Sequence, residues 1–225
     1  MPTIEKDVVV GQHLIPRMLE ARRRSDTLFA LVKTDAMYDR PIPERHRIIF
    51  YVGHLEAFDW NLLHERAFGA KSFQPELDRL FAFGIDPLGG GLPSDQPPDW
   101  PSLEIVREYV HQIRASLDER LSTANPAGVG SLPDGFSLAT LLNVAIEHRL
   151  MHLETLAYMF HQLPLARKIR QESSAPLLAP APEFQMVSIP AGTATLGLSR
   201  NSEEFGWDNE FERYTVAVPS FEIDK

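Results

Sequence analysis

Apolar residues recur every three or four positions in four stretches of the chain, which is the spacing of amphipathic α-helices. These stretches predict helices over 11–37, 43–68, 102–121 and 137–162. Pro43-Glu44 suits the first turn of the second helix and Gly69 suits its end, while Pro164 stops the fourth helix. Four long helices of this kind predict a mainly α fold, built as a four-helix bundle.

The segments between and after these helices have a different composition. Residues 84–101 contain five prolines and Gly89-Gly90-Gly91, so we expect a long loop there. Residues 173–182 are rich in proline and alanine and predict a stiff linker, and the strand-like runs beyond it are 186–189, 193–198 and 214–218. We therefore predict a helical domain over 1–170, a linker over 171–184, and a β-containing segment of an incomplete α+β domain over 185–225.

Composition narrows the classes of function. The chain has 22 Lys and Arg against 31 Asp and Glu, a net charge of −9, so we expect no nucleic-acid partner. It has no cysteine, which excludes disulfides, thiolate metal ligands and thiol nucleophiles. The N-terminus lacks the pattern of a signal peptide, and no apolar run is long enough to span a membrane. These features predict a cytoplasmic protein without a membrane partner.

The fourth predicted helix carries two histidines on one face. His148 and His152 are four positions apart, which places them roughly 40° apart around the helix axis. The same stripe contains the largely apolar set Leu141, Val144, Thr155 and Met159. Two inward imidazoles at this spacing can bind one divalent metal ion. Glu154 lies about 120° or more from both histidines around the helix axis. We therefore expect it either to contact a metal ligand without binding the metal itself, or to face solvent.

A metal site of this kind needs a third ligand from another helix. His54 on the second predicted helix is the best candidate, because its face also carries Phe50, Tyr51 and Phe58. The alternative is a core histidine that hydrogen-bonds a neighbouring helix. Asp59 could replace His54, which would give a site of two histidines and one carboxylate suited to iron; we rank this lower.

At this point the residues resemble a known family. His54 on the second helix, together with the H-x3-H-x-E motif that ends at Glu154, resembles the DinB-like four-helix domain of ergothioneine-type (EgtB-like) sulfoxide synthases. The tail resembles the start of a formylglycine-generating-enzyme or sulfatase-modifying-factor domain. Three pieces carry that second likeness: Met186-Val-Ser-Ile-Pro-Ala-Gly-Thr, Phe205-Gly-Trp-Asp-Asn-Glu and Val218-Pro-Ser-Phe-Glu-Ile-Asp-Lys.

The resemblance implies a mononuclear non-haem iron(II) held by His54, His148 and His152. It implies that O2 is used to join a thiol, cysteine or γ-glutamylcysteine, to the imidazole of hercynine, which gives a sulfoxide. Three neutral imidazoles leave positions on iron for the thiolate and O2. Arg107 and Arg114 could pair with a substrate carboxylate. Their alternative is a surface position beside acidic neighbours, namely Glu104, Glu108 and Asp118.

Two departures from the family leave alternatives open. Met151 occupies a position that is glutamine in some members, and that glutamine helps to hold hercynine. A thioether cannot make the same hydrogen bond, so a selenoneine-type synthase is a second interpretation. The family's second domain continues past Lys225 and supplies a tyrosine proton donor, so we expect this chain to bind iron with little activity by itself. A DinB-like thiol transferase with a three-histidine zinc or nickel site, and a bundle with purely structural histidines, are further interpretations. The tail favours the sulfoxide synthase.

Overall fold

The computed structural model describes residues 13–85, 91–125, 132, 135–171, 184–202 and 204–225. The chain divides into two compact units, Met1–Gln171 and Glu172–Lys225. Most of the predicted linker over 171–184, and Gly89-Gly90 of the predicted loop, lie outside the described residues. In the described part of the chain, no helix is long and apolar enough to cross a membrane.

The described part of the first unit has five α-helices. They are α1 (Leu14–Phe29), α2 (Ile48–Phe68), α3 (Pro75–Phe83), α4 (Leu103–Thr123) and α5 (Leu138–Gln162). Short 3-10 turns come after α1, α3 and α5, at Thr34–Ala36, Pro97–Asp99 and Leu165–Arg167. Helix α2 packs against α3, α4 and α5, and α1 packs against α5. The predicted mainly α class is therefore confirmed.

Helix α2 lies at the centre of this bundle. Twelve of its 21 residues are buried, and they occupy nearly the whole circumference of the helix. Trp60 and Leu63 are among its fully buried side chains, and Ile113 and Leu117 of α4 belong to the same apolar core. Polar side chains on α2 are thus carried into the interior, where each needs a partner.

Two helices are shorter than predicted. Helix α1 ends at Phe29, well before 37, because Val32 pairs with Lys168 and the Ile169 amide donates to the Leu31 carbonyl. Helix α2 begins at Ile48 and not at 43, because the Ile48 amide donates to the Asp39 carbonyl in the preceding turns. Tertiary pairing of the flanking segments therefore sets these boundaries. Gly69 ends α2 with a φ of 58°, as its sequence position predicts.

Helix α3 is absent from the sequence prediction, which expected four helices. Pro75 occupies its first turn, Glu76 and Asp78 are acidic residues near its N-terminus, and Gly84 follows its end. Each of these is a recognised helix signal, but nine residues hold too few apolar positions to establish a period. The other two predictions, 102–121 and 137–162, match α4 and α5 to within two residues.

The second unit has four described strands. They are β1 (Met186–Ile189), β2 (Gly192–Leu196), β3 (Tyr214–Val218) and β4 (Phe221–Asp224). β1 pairs antiparallel with β4, and β2 pairs antiparallel with β3. β2 stops before the predicted end at 198 because Gly197 turns the chain with a φ of 71°. β4 was not predicted, although Phe221-Glu-Ile-Asp alternates as a strand does.

Candidate metal centre

Three histidines from two helices converge in the bundle. His54 lies on α2, while His148 and His152 lie one turn apart on α5. Each offers one ring nitrogen, and the three nitrogens lie within 4.8 Å of one another. The Nε2 atoms of His54 and His152 are 3.1 Å apart. Only 8% of His54 and 8% of His148 is exposed, so these two imidazoles are shielded from solvent, while His152 is partly exposed.

A backbone carbonyl fixes the orientation of His54. Nδ1 of His54 lies 2.7 Å from the carbonyl oxygen of Phe81 on α3. Because a carbonyl only accepts hydrogen bonds, Nδ1 carries the proton and donates it, and Nε2 keeps a lone pair directed at the other histidines. Gly53 makes this approach possible, since a Cβ at that position would overlap the Phe81 ring. Helix α3 therefore selects the tautomer of His54.

The protein environment keeps the three imidazoles neutral. Burial, together with repulsion from neighbouring charges, lowers the pKa of His148 to about 2 and that of His152 to about 4. Burial also lowers the pKa of His54, against the effect of its hydrogen bond to Phe81. Neutral imidazole is the form that binds metal ions, so all three rings are ready as ligands near neutral pH.

Aromatic side chains of α2 pack against the imidazoles. Phe50 stacks on His54 with 4.6 Å between ring centroids. Phe58 stacks on His148 with 3.4 Å between centroids and an interplanar angle of 10°. The three residues of α2 follow at intervals of four, so a Phe-His-Phe stripe faces α5. This stripe limits rotation of the imidazoles and excludes water from one side of the pocket.

The donor set fits a divalent transition metal. Among the described residues, these three histidines are the one group of His, Cys, Asp or Glu side chains close enough to share an ion. Two imidazole nitrogens at about 2.1 Å from one ion, with an angle near 100°, lie roughly 3.2 Å apart. The 3.1 Å between Nε2 of His54 and Nε2 of His152 matches this separation. Imidazole suits iron, zinc, nickel and copper, and three ligands leave coordination positions open.

Asp59, the alternative third ligand, lies elsewhere. It is fully buried, roughly 140° around α2 from His54, and accepts a 2.6 Å hydrogen bond from Arg149. Arg149 also donates to Glu56 and to the Leu55 carbonyl, at 3.0 Å each. The Asp59 carboxylate therefore belongs to an ion-pair cluster that joins α2 to α5 behind the histidines.

Glu56 keeps its negative charge in this cluster even though it is buried, whereas burial raises the pKa of Asp59. Arg22 of α1 approaches Glu56 and Asp59 at 3.7 and 4.0 Å, and both carboxylates are at most 1% exposed. Burial alone would raise the pKa of Glu56, but the guanidinium groups of Arg149, Arg22 and Arg114 outweigh it and lower that pKa to about 2. The carboxylate of Glu56 is therefore ionised, and its partners are needed to keep it so.

The remaining predicted residues lie outside the histidine group. Arg114 pairs with Asp26 and with Glu56, at 2.7 Å each, and not with its acidic neighbours in sequence. Arg107 is exposed on α4 and lines a separate cavity with Arg114. Met151 is 50% exposed and Glu154 is exposed, both on α5.

Two parts of the site were missed by sequence reasoning. The Phe81 carbonyl could not be found, because a backbone group leaves no mark on residue identity. The cluster around Arg149 had a signal: Glu56 and Asp59 lie among apolar residues near the middle of α2, and Arg149 follows His148 directly on α5. Charges at such positions require partners from another helix.

Comparison with known sequences places this geometry in a family. Residues 17–156 match the family described as the DinB superfamily, and the chain belongs to that superfamily. The matched range runs from α1 into α5 and contains all three histidines. The DinB-like part of the resemblance is thereby confirmed.

Two curated proteins, both named Ergothioneine biosynthesis protein 1, are similar to the chain. The protein of Neurospora crassa is 28% identical over 217 residues, which cover 85% of this chain and 23% of that protein. The protein of Schizosaccharomyces pombe is 27% identical over 237 residues, which cover 86% of this chain and 28% of that protein. The resemblance to ergothioneine-type proteins is confirmed, and the chain spans about a quarter of the length of these relatives.

Proposed function

We propose that this chain carries the metal-binding helical domain of an enzyme of ergothioneine biosynthesis, and that His54, His148 and His152 hold one iron(II) ion. The observation that carries the proposal is the convergence of three neutral imidazoles within 4.8 Å. Similarity to two proteins named Ergothioneine biosynthesis protein 1 supports a role in ergothioneine biosynthesis. Membership of the DinB superfamily supports the helical bundle as the part of the chain that carries the metal site.

The proposed reaction uses small-molecule substrates. A thiol, cysteine or γ-glutamylcysteine, is joined through its sulfur to a ring carbon of hercynine, and O2 supplies the sulfoxide oxygen and is also reduced to water. The ring carbon and the thiol each lose one proton. Bound iron would supply the redox chemistry that reaction with O2 requires. A selenium donor in place of the thiol is the alternative substrate that Met151 leaves open.

The chain's own residues prepare the site for this chemistry. The Phe81 carbonyl accepts a hydrogen bond from Nδ1 of His54, so the lone pair on Nε2 stays available to bind the metal. Phe50 and Phe58 hold two imidazoles in place and shield them from water. Behind them, Arg149 fixes α5 to α2 through Asp59 and Glu56, which maintains the alignment of the histidines.

A second candidate function has the same three-histidine site. A DinB-like thiol transferase with zinc or nickel would activate its thiol as a thiolate at such a centre, without O2. The donor set favours both functions equally. Similarity to the ergothioneine proteins favours the first.

Anaerobic titration with iron(II) tests the proposal. We expect one equivalent to bind the wild-type chain, and binding to be lost in His148→Ala and in His152→Ala. His111→Ala is the matched control, because His111 is exposed on α4 outside the cluster. O2 consumption that requires both hercynine and thiol, measured on a version of the chain that also carries the complete second domain that the resemblance implies, would then support the reaction. Stoichiometric zinc with indifference to iron would favour the transferase, and no metal binding would refute both functions.

A further inference from the structure

A second cavity opens on the other side of the central helix. It has a volume of about 440 Å³ and lies between α1, α2 and α4. On α2 it is lined by Val52, Leu55 and Glu56, which lie roughly 100–160° around the helix from His54, and none of the three histidines contributes to it. Its volume is in the range of small-molecule sites. The cavity is therefore separate from the metal centre.

The walls of this cavity are mainly apolar. Phe29, Val32, Met37, Leu103 and Val110 contribute side chains to them. An occupant therefore gains most by burying a hydrocarbon body against these residues.

The charged groups in the walls are paired, with one exception. Arg114 donates to Asp26 and Glu56, and Arg149 donates to Glu56 and Asp59. Arg107 lies two turns before Arg114 on the same face of α4, and it has no hydrogen bond or ion pair with any residue that the structure describes. One guanidinium thus remains available to a ligand at the edge of an apolar cavity.

We propose that this cavity binds a small amphipathic monocarboxylate, with its hydrocarbon body between Val52, Leu103 and Val110 and its carboxylate on Arg107. A guanidinium matches a carboxylate through two parallel hydrogen bonds. A single negative charge is specified because Arg107 is, among the described wall residues, the one guanidinium that no carboxylate already pairs with. This site goes beyond the metal centre and does not depend on it.

Octanoate is the probe for the test. The 225-residue chain, labelled with 13C at its methyl groups and freed of metal with EDTA, is titrated with octanoate and followed by NMR. Removing metal ensures that the carboxylate cannot bind at the histidines. We expect saturable shifts of the Val52, Leu103 and Val110 methyl signals. The same octanoate titration is repeated on zinc-loaded protein, so that the test still holds if removal of the metal destabilises the bundle.

Two variants and a control locate the carboxylate and the body. Arg107→Gln should weaken octanoate binding at least tenfold, since a hydrogen bond to a charged group contributes a factor of that order or more. Arg79→Gln is the matched control, because Arg79 is an exposed arginine of α3 outside the cavity, and it should leave binding unchanged. Val110→Phe should block the cavity, and 1-octanol should bind more weakly than octanoate.

Three results would overturn the proposal. The first is shifts that never saturate. The second is equal dissociation constants for Arg107→Gln and Arg79→Gln. The third is saturable shifts that leave Val52, Leu103 and Val110 unaffected. Because the titration is complete without any metal, failure of the iron proposal leaves this result unchanged, and the reverse also holds.

Discussion

Arg149 donates a 2.6 Å hydrogen bond to Asp59, and both side chains are at most 1% exposed. This ion pair joins α5 to α2 one residue after His148 and five residues after His54. The two helices that carry the imidazoles are thus held together, on the side away from the imidazoles, by a contact that allows little sliding. Alignment of the metal centre and stability of the bundle depend on the same buried charges.

Removal of Arg149 should destabilise the fold strongly. In Arg149→Met the carboxylates of Glu56 and Asp59 lose their shared partner inside the bundle, and we expect a loss of about 3–5 kcal/mol in the free energy of unfolding. Urea denaturation measures it. Arg17→Met is the control: Arg17 of α1 pairs with Glu147 of α5 at 3.0 Å, but in an exposed position, and should cost less than about 1 kcal/mol. Similar losses in both variants would contradict the structural role of Arg149.

The periodicity of the sequence predicted the existence of the long helices and placed His148 and His152 on one face of α5, because residues four positions apart lie on the same side of a helix. It offered His54 and Asp59 as candidate third ligands without deciding between them. It was not sufficient for contacts set by tertiary packing. Helix α3 is too short to show a period, and its carbonyl at Phe81 has no sequence mark. Arg114 was expected beside residues of its own helix, but Asp26 and Glu56 reach it from α1 and α2.

Stability of the metal-free chain should fall as the pH drops below about 6.5. The pKa of His152 is lowered to about 4 and that of His148 to about 2, so the folded chain binds fewer protons than the unfolded chain in this range. Each histidine that stays neutral should contribute a slope of about 1.4 kcal/mol per pH unit below that point, and no slope above it.

Urea denaturation between pH 7 and pH 5 measures this slope. The double variant His148→Gln, His152→Gln removes both groups and should show a much flatter dependence on pH. The range stops at pH 5 because ordinary carboxyl groups titrate below it. An unchanged slope in the double variant would show that the two imidazoles become protonated in the folded chain.

Gly53→Ala should weaken the metal centre through the ring of Phe81. A methyl group at this position would overlap that ring and push the Phe81 carbonyl away from Nδ1 of His54. Loss of such a supporting hydrogen bond lowers metal affinity by roughly 10–100-fold. Competition with a chelating dye measures the affinity of the variant for iron(II) or cobalt(II).

The matched control for Gly53 is Gly69→Ala. Gly69 ends α2 with a positive φ of 58° and has no neighbour within 4 Å of an added Cβ, so that change strains the helix end without touching the site. We expect it to cost about 1 kcal/mol in stability and to leave metal affinity unchanged. Equal affinities in Gly53→Ala and wild type would argue against the role of Phe81.

Metal binding should stabilise the bundle, because the three imidazoles are brought together only in the folded chain. At a free metal concentration 100 times the dissociation constant, the gain is about 2.7 kcal/mol. For a domain of this size the midpoint of thermal unfolding should rise by roughly 5–10 °C, and EDTA should reverse the rise. Differential scanning calorimetry with and without iron(II) measures the shift. His54→Ala should abolish it while His111→Ala retains it, and a shift that survives in His54→Ala would place the bound metal elsewhere.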